Sequence, residues 1–510
     1  MRSPLFAFAL AACAPAAAWA QDITLTSHDG AIELSGSLLA FDGEFYRVSS
    51  VYGPLTVSAE GVSCAGPGCP DLSAFVAEAR FAGAAIIAET LLPALVDAFA
   101  AERGFTVTRQ LGTGGTTYEL AREDGTVAAR FAVTPGTTED GFLALLNEDA
   151  DLALALREPL AMEARADGGQ TALARRGRVI GLDALVPVTS RALPVREISP
   201  EDLVRLYTGE IANWVDLGGP DAPVRLHLTA ATGGLSQAFE AEILAGTTRP
   251  LADGIIRHDD PRDLSDAVAR DPYAIGVTAY SAVGNARAID LTGPCGFSLE
   301  ASPESLKSQD YPLTAPLFVY TPPRRLPRLV REFLGFLESA VAERVIRRAG
   351  FVSQSITESP VEDQGRRLAN AIAAAGADVS LADLQRLAAR MEDAARLSPT
   401  FRFSGGSTEF DTQSLSAISR LARAIEQGEY DGRRLTFVGF SDSAGRAGAN
   451  IALARNRAET VRRAVMEAAA TADLARVELR IAAFGEALPI ACDDTAWGAA
   501  VNRRVEVWLE

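Results

Sequence analysis

The chain has 510 residues, which at roughly 150 residues per domain leaves room for about three domains. Its hydrophobic fraction of 48% is enough for ordinary globular cores. The 48 basic and 66 acidic residues leave a net charge of −18, which excludes a protein whose main task is to grip nucleic acid, because that needs a basic face.

The first 20 residues have the form of a secretory signal. Arg2 supplies the positive start, Leu5 to Ala12 the apolar stretch, and Ala18-Trp19-Ala20 the small-x-small cleavage form, which predicts a mature start at Gln21. A membrane span needs about 20 apolar residues, and Pro15 interrupts this run. Leu10-Ala11-Ala12-Cys13 resembles a bacterial lipobox, in which Cys13 would carry lipid and become the first residue. Both processing routes stay open. Export permits disulfides. Cys64-Ala-Gly-Pro-Gly-Cys69 is a turn with a thiol at each end, read as a local bridge, while Cys295 and Cys492 either pair across domains or stay free.

Residues 21–70 read as a small β-rich module. Short alternating runs (Ile23–Thr26, Ala31–Leu34, Phe45–Val48, Leu55–Val57) are separated by Asp29-Gly30, Asp42-Gly43 and Tyr52-Gly53-Pro54. No chemistry is visible there, so packing or docking is the expected role. Across 71–357, strand-length apolar runs alternate with helical periods. Ala84–Ala101 is expected to be helical, Val179–Val188 a buried strand, and Ser199-Pro200-Glu201-Asp202 the cap of a helix reaching Tyr207. Such alternation predicts α/β architecture with parallel sheets. Residues 358–398 read as a connector of two helices broken near Gly376. Residues 399–510 read as another α/β unit: strand Phe401–Phe403, helix Gln413–Gln427, strand Leu435–Phe440, helix Ala452–Ala469, and strands Val477–Phe484 and Arg504–Leu509.

Four ordered motifs mark that last unit. Gly439-Phe-Ser441-Asp442 follows a strand, and Asn450-Ile-Ala-Leu453-Ala-Arg-Asn-Arg457-Ala458 starts a helix. Gly485-Glu486-Ala-Leu-Pro489 forms a turn, and Asn502-Arg503-Arg504-Val505-Glu506 begins the final strand. Together they resemble the OmpA-like peptidoglycan-binding domain. The resemblance implies that Asp442 and Arg457 hold the diaminopimelate of the cell-wall stem peptide. Diaminopimelate ends in both an ammonium and a carboxylate, so a carboxylate and a planar guanidinium side by side can read both charges. Ser441, Asn450, Asn502 and Arg503 are the supporting candidates, with Asn450 also read as a helix cap. Phe440 stands where His is common in the family, and Ala454 where Ser is common.

From Ile86 to Val352 a second series runs in order: Ile86-Ile-Ala-Glu89-Thr-Leu-Leu-Pro93, Gly136-Thr137-Thr138, Ala150–Arg157, Ile198–Leu203, Tyr207-Thr-Gly209-Glu-Ile-Ala-Asn213-Trp214-Val-Asp-Leu-Gly218-Gly219, Ala274-Ile-Gly276 and Gly350-Phe351-Val352. It is similar to the periplasmic phosphate-type (PstS-like) substrate-binding proteins of transporters. That implies a type II-like fold of two lobes closing over an oxyanion, with a transporter permease as a partner. Such sites use helix N-termini, hydroxyls and one arginine. The positions available here are Ala84, Ala85, Thr137, Arg157, Thr232 and Ser236. Three places that bear hydroxyls in the family are apolar or Gly here (Ala84-Ala85, Ala155-Leu156, Gly233-Gly234), and each lost bond to a charged oxyanion removes about 1.5–3 kcal/mol.

The leading expectation is a cell-wall-tethered periplasmic solute-binding protein for phosphate or a related small solute. The alternative is a wall-anchored interaction scaffold that has lost phosphate binding. If Cys13 is lipidated, the protein is an outer-membrane lipoprotein. Neither an enzyme nor a cofactor is expected. Lys307 is the one lysine, and neither a phosphate-loop nor a Schiff-base motif surrounds it. His28, His227 and His258 are far apart in sequence and lack zinc spacing, so no metal is expected.

Overall fold

In the computed structural model the described residues are 22–510 apart from 73, 161, 164–175, 231–233, 244–248, 294, 376–378, 404–409 and 494–495. The export segment with Cys13 lies outside them, as does Thr232. No helix among the described residues is long and apolar enough to cross a membrane.

The N-terminal module is an antiparallel sheet of β1 (Ile23–Ser27), β2 (Glu33–Phe41), β3 (Phe45–Ser50), β4 (Gly53–Ser58) and β5 (Val62–Ala65), in the order β4-β3-β2-β1-β5. Alternation puts Ile23, Leu25, Tyr46 and Val48 on one buried face. Strand β2 runs past the expected Leu34 to Phe41 through a bulge between Leu38 and Ala40. Cys64 and Cys69 are bonded and close the turn. The module docks on its neighbour through charge. Arg325 reaches Asp42 at 2.5 Å and Glu44 at 2.6 Å, and its guanidinium lies 4.4 Å over the Phe45 ring.

Two α/β lobes follow. Lobe 1 holds β6 (Ala77–Ala84), α1 (Leu92–Arg103), β7 (Thr106–Gly112), β8 (Gly115–Ala121), β9 (Val127–Gly136), α2 (Thr138–Leu146) and β10 (Leu152–Ala155). A π-helical turn, Ile86–Leu91, opens the helix expected from Ala84. Gly83 has φ +127°, and a Cβ there would meet the Leu154 carbonyl at 2.1 Å, so only glycine lets β6 lie this close to β10. Strand β11 (Gly177–Thr189) leads to lobe 2, which holds β12 (Glu197–Ile198), α3 (Pro200–Tyr207), β13 (Arg225–Thr229), α4 (Gly234–Ile243), β14 (Ile256–His258), α5 (Pro261–Arg270), β15 (Ala274–Ala279), β16 (Arg287–Ala288), β17 (Asp290–Thr292), β18 (Ser298–Leu299) and α6 (Pro303–Lys307). The chain returns to lobe 1 through β19 (Thr314–Tyr320), α7 (Arg328–Phe336) and α8 (Ala340–Arg348). Ser199 caps α3 by accepting from the Asp202 amide at 2.9 Å, as expected.

The sheets are mixed rather than parallel throughout. Pairs β6–β9, β6–β10, β13–β14 and β13–β15 are parallel, but β7, β8 and β9 form an antiparallel meander. The glycines around Thr113-Gly114 turn β7 straight back into β8, which parallel pairing does not allow. Strand β11 belongs to both lobes: residues 177–184 pair with β19, and 185–189 pair with β15.

The C-terminal unit begins with β20 (Glu358–Ser359) and the connector helices α9 (Gly365–Ala374) and α10 (Leu381–Met391). It continues with β21 (Ala395–Phe401), α11 (Thr412–Glu426), β22 (Arg434–Phe440), α12 (Ala447–Ala468), β23 (Glu478–Gly485), α13 (Ala496–Asn502) and β24 (Val505–Leu509), with sheet order β20-β21-β24-β22-β23. Strand β21 starts at Ala395, not at the expected Phe401. Pro399 argues against a strand, but it sits in a bulge between Leu397 and Thr400, where no ladder bond is needed from it.

This unit packs on both lobes. Arg396 pairs with Asp310, and Glu506, fully buried on β24, gathers Arg367, Arg396 and Arg504 around it. Burial alone would raise the Glu506 pKa, but the three guanidiniums hold it far below the carboxylate range. Helix α11 lies against β11. Ser416 accepts from the Val179 amide at 3.2 Å, and Arg420 donates to the Val179 carbonyl at 3.1 Å, beside the β11 bulge. Cys295 of lobe 2 is bonded to Cys492.

Candidate functional sites

The C-terminal motifs converge at the end of β22. Gly439 lies so close to α12 that a Cβ would meet the Ala454 carbonyl at 2.0 Å, which explains the glycine. The turn after β22 presents Ser441 and Asp442. Asp442 accepts from Arg503 at 2.6 Å. Arg457 projects from α12, is 2% exposed, and has its guanidinium 5.4 Å over the Phe403 ring. Its Nε and Nη1, and the Ser441 hydroxyl, are buried without a hydrogen-bond partner among the described residues. Burial, then repulsion from Arg503, lowers the Arg457 pKa, with Asp442 opposing them. The result is a carboxylate with two guanidiniums near it, two donors of Arg457 meeting no acceptor among the described residues.

The supporting candidates divide. Asn450 does not cap α12: the helix starts a turn earlier, at Ala447, and the Asn450 amide instead donates to the Asp442 carbonyl at 3.3 Å, which steadies the turn. Asn502 is fully buried and structural. Its Oδ1 accepts from the Ile490 and Ala491 amides at 2.7 and 3.2 Å, and its Nδ2 donates to the Ala491 carbonyl at 2.7 Å and to Asp493 at 2.5 Å. Phe440 belongs to the core, beneath the Arg504 guanidinium at 4.3 Å.

Between the lobes, Arg157, Thr137 and Ser236 each have partners within the chain. Arg157 forms a two-pronged pair with Glu163 at 2.8 and 2.9 Å and also donates to the Glu158 carbonyl. Thr137 is the cap of α2, exchanging bonds with Asp140. Ser236 bonds Glu240 at 3.1 Å and accepts from Arg257 at 2.7 Å. Ala84 is buried in β6, and Ala85 lines a cavity. That cavity, of 160 Å³, is walled by Glu89, Thr90, Thr229, Asp259, Asp260, Arg262 and Ser281 among others. A second, of 340 Å³, contains Thr138, Glu139, Arg157, Gln237 and Thr314. Leu156 and Gly234 line both cavities, and a Cβ on Gly234 would lie 3.5 Å from a Leu156 methyl. Leu156 therefore lies between the two cavities, beside the start of α4.

Other groups carry no signal in local sequence. Asp183 on β11 is fully buried, bonds Ser281 at 2.7 Å, and is pushed up to about 6 by burial, against its hydrogen bonds from Ser281 and Ala184. His227 and His258, distant in sequence, meet at 2.9 Å across β13 and β14. Among the described residues no cluster of three or more His, Cys, Asp or Glu is placed to hold a metal.

Two lobes sharing one crossing strand, with a cleft between them, define a binding-protein fold. Residues 87–341, half of the chain, match the PBP superfamily domain, and the chain belongs to that superfamily. Residues 402–503 match the OmpA family. The chain is 22% identical over 179 residues to the phosphate-binding protein PstS of Borreliella burgdorferi and 28% identical over 159 residues to that of Bacillus subtilis. Those stretches are 34% and 31% of this chain and span 64% and 51% of the relatives. Among solved structures, an ABC-type phosphate transport receptor from Vibrio cholerae aligns over 54% of this chain and 99% of its own, at 19% identity and TM-score 0.43. The C-terminal domain of Helicobacter pylori MotB aligns over 22% of this chain and 84% of its own, at 24% identity and TM-score 0.20.

Proposed function

We propose that the protein is exported to the periplasm and binds peptidoglycan non-covalently through its C-terminal domain, which takes the diaminopimelate of the stem peptide. Its two-lobed domain then acts as an interaction scaffold held at the wall. Arg457 carries the wall reading: a guanidinium buried to 2% exposure, with two donors unmet among the described residues, fits a ligand carboxylate. Asp442, beside it, offers the matching site for an ammonium. Pelleting the full chain with purified diaminopimelate-type sacculi tests the reading. Wild type should pellet and Asp442→Ala should stay in solution; equal pelleting sinks it.

The scaffold half rests on Leu156, which lies between the two cavities, and on Arg157, whose charge is met by Glu163. The 160 Å³ cavity is also edged by Glu89, Asp259 and Asp260 against the single Arg262, an electrostatic setting that repels a free oxyanion. A receptor for phosphate or another small solute, working with a transporter permease, is the second reading. It is favoured by the same cavity with Thr90, Thr229 and Arg262 in its wall. Calorimetry separates the two: heat on adding phosphate or sulfate to the full chain would favour the receptor, and none is expected.

A further inference from the structure

The loop 490–493 is the hub of the wall site. The Ile490 and Ala491 amides hold the Asn502 side chain, which places Arg503 against Asp442. Asp493 accepts from the Ser443 amide at 2.6 Å and from Asn502, and so fixes the turn that carries Asp442 from its other side. The Arg503 contact to the Asp442 carboxylate and one hold on the turn that carries it thus both lead back to this loop.

That loop is gripped from outside its own domain. Cys492 is joined to Cys295 of lobe 2, and the Cys295 amide also points at the Cys492 sulfur at 3.2 Å. The lobe 2 turn wraps this sulfur so closely that a Cβ on Gly293 would sit 2.6 Å from it. Leu299 of lobe 2 packs on Ile490, Ala491 and Val501. A second hold comes through Arg402. Its guanidinium donates to the Ala500 and Val501 carbonyls at 3.1 and 2.6 Å, just before Asn502, and to the backbone carbonyl of Gln309 at 2.6 Å in the segment that leads into β19. One attachment falls on the 490–493 loop and the other on the end of α13, next to Asn502 and Arg503.

We propose that the two-lobed domain positions the wall site: Cys295, through its bond to Cys492, and Gln309, through Arg402, hold the 490–493 loop and the Asn502-Arg503 pair in the geometry that takes the diaminopimelate. Cys295 is a positioning residue for a ligand bound in another domain. The inference rests on the wall reading above. A site held ready loses less freedom on binding, so releasing the hold weakens affinity without removing a ligand contact.

The test uses the full mature chain and diaminopimelate-type sacculi. Cys295→Ser/Cys492→Ser should weaken binding about tenfold, a loss of preorganisation rather than of contacts. It should also speed hydrogen exchange at the Ser443 amide while leaving the amides of β22 and β24 protected. Unchanged affinity with unchanged Ser443 exchange overturns the proposal. So does a uniform rise in exchange across the C-terminal sheet, which would mean the bond serves only to stabilise the domain. If the double variant does not fold, Cys64→Ser/Cys69→Ser, which keeps the interdomain bond alone, is titrated with dithiothreitol and read in the same two ways. Asp442→Ala, run alongside, keeps the failures apart. If it binds like wild type, the wall site itself is misassigned. If it loses binding while opening the bond changes nothing, only the positioning role falls.

Discussion

Replacing Arg457 with Met should abolish wall binding while leaving the C-terminal domain folded. The guanidinium is 2% exposed, and its Nε and Nη1 find no partner among the described residues. A buried charge without partners is a destabilising element. Met keeps the apolar stem and removes the charge. The change gives up the contact with the Phe403 ring, about 2 kcal/mol for a desolvated pair, and relieves the repulsion from Arg503 and the burial of a charge. In the complex, two charge-assisted bonds to a ligand carboxylate are worth about 1.5–3 kcal/mol each. Losing both costs about 3–6 kcal/mol, roughly a hundred- to ten-thousand-fold in affinity. Sedimentation isotherms with sacculi and urea midpoints give the two numbers. A variant destabilised by more than about 2 kcal/mol that still pellets would show that Arg457 is a structural residue and refute the assignment.

Three further outcomes follow from the buried groups and close contacts. Glu506→Gln strips the counter-charge from Arg367, Arg396 and Arg504 and should cost the C-terminal domain about 3–5 kcal/mol in urea unfolding; a loss under about 1 kcal/mol would contradict the buried cluster. Asp183 has a folded pKa of about 6 against a model-compound value of 3.8. Its protonated form is therefore the one the fold prefers, and that stabilisation is complete below about pH 4 and lost as pH rises through 6. The stability of Asp183→Asn relative to wild type should accordingly improve from about pH 4 to about pH 7, and a difference independent of pH counts against the burial argument. Gly439→Ala forces a Cβ to within 2.0 Å of the Ala454 carbonyl, a backbone atom that cannot step aside. The variant's C-terminal domain should fail to fold, seen as early proteolysis after Val352, and a normal melting profile would disprove the close approach.

Local periodicity and turn chemistry made the three-part architecture legible. Alternation along Ile23–Leu25 and Tyr46–Val48 marks a half-buried sheet, and Ser199-Pro200 marks the start of α3. The Gly/Pro turn between Cys64 and Cys69 marks a local bridge. What escaped depends on partners that local pattern does not record. Pro399 hid the first part of β21 because its bulge exists only against β24. Asn450 read as a cap because its actual partner, the Asp442 carbonyl, is set by the tertiary turn. Arg157 kept the look of an anion anchor because Glu163, six residues on, is an ordinary acid until the loop folds back. The pairing of Cys295 with Cys492 is one of two alternatives the sequence leaves open, while the meeting of His227 with His258 and the gathering of charges at Glu506 join residues whose separation in sequence gives no hint of contact.

The position of β24 governs the order in which the molecule can be assembled. It lies in the middle of its sheet, between β21 and β22, although it is the last of the three along the chain. Those two strands have no common edge to share until residues 505–509 arrive, and the arginines that face Glu506 wait without their anion until the same moment. The sheet of the two lobes takes no strand from beyond its last bridge, Leu182 with Val352, so its pairing does not depend on β24. A chain cut short before β24 would keep the strands of its lobes and lose the one strand that joins β21 to β22.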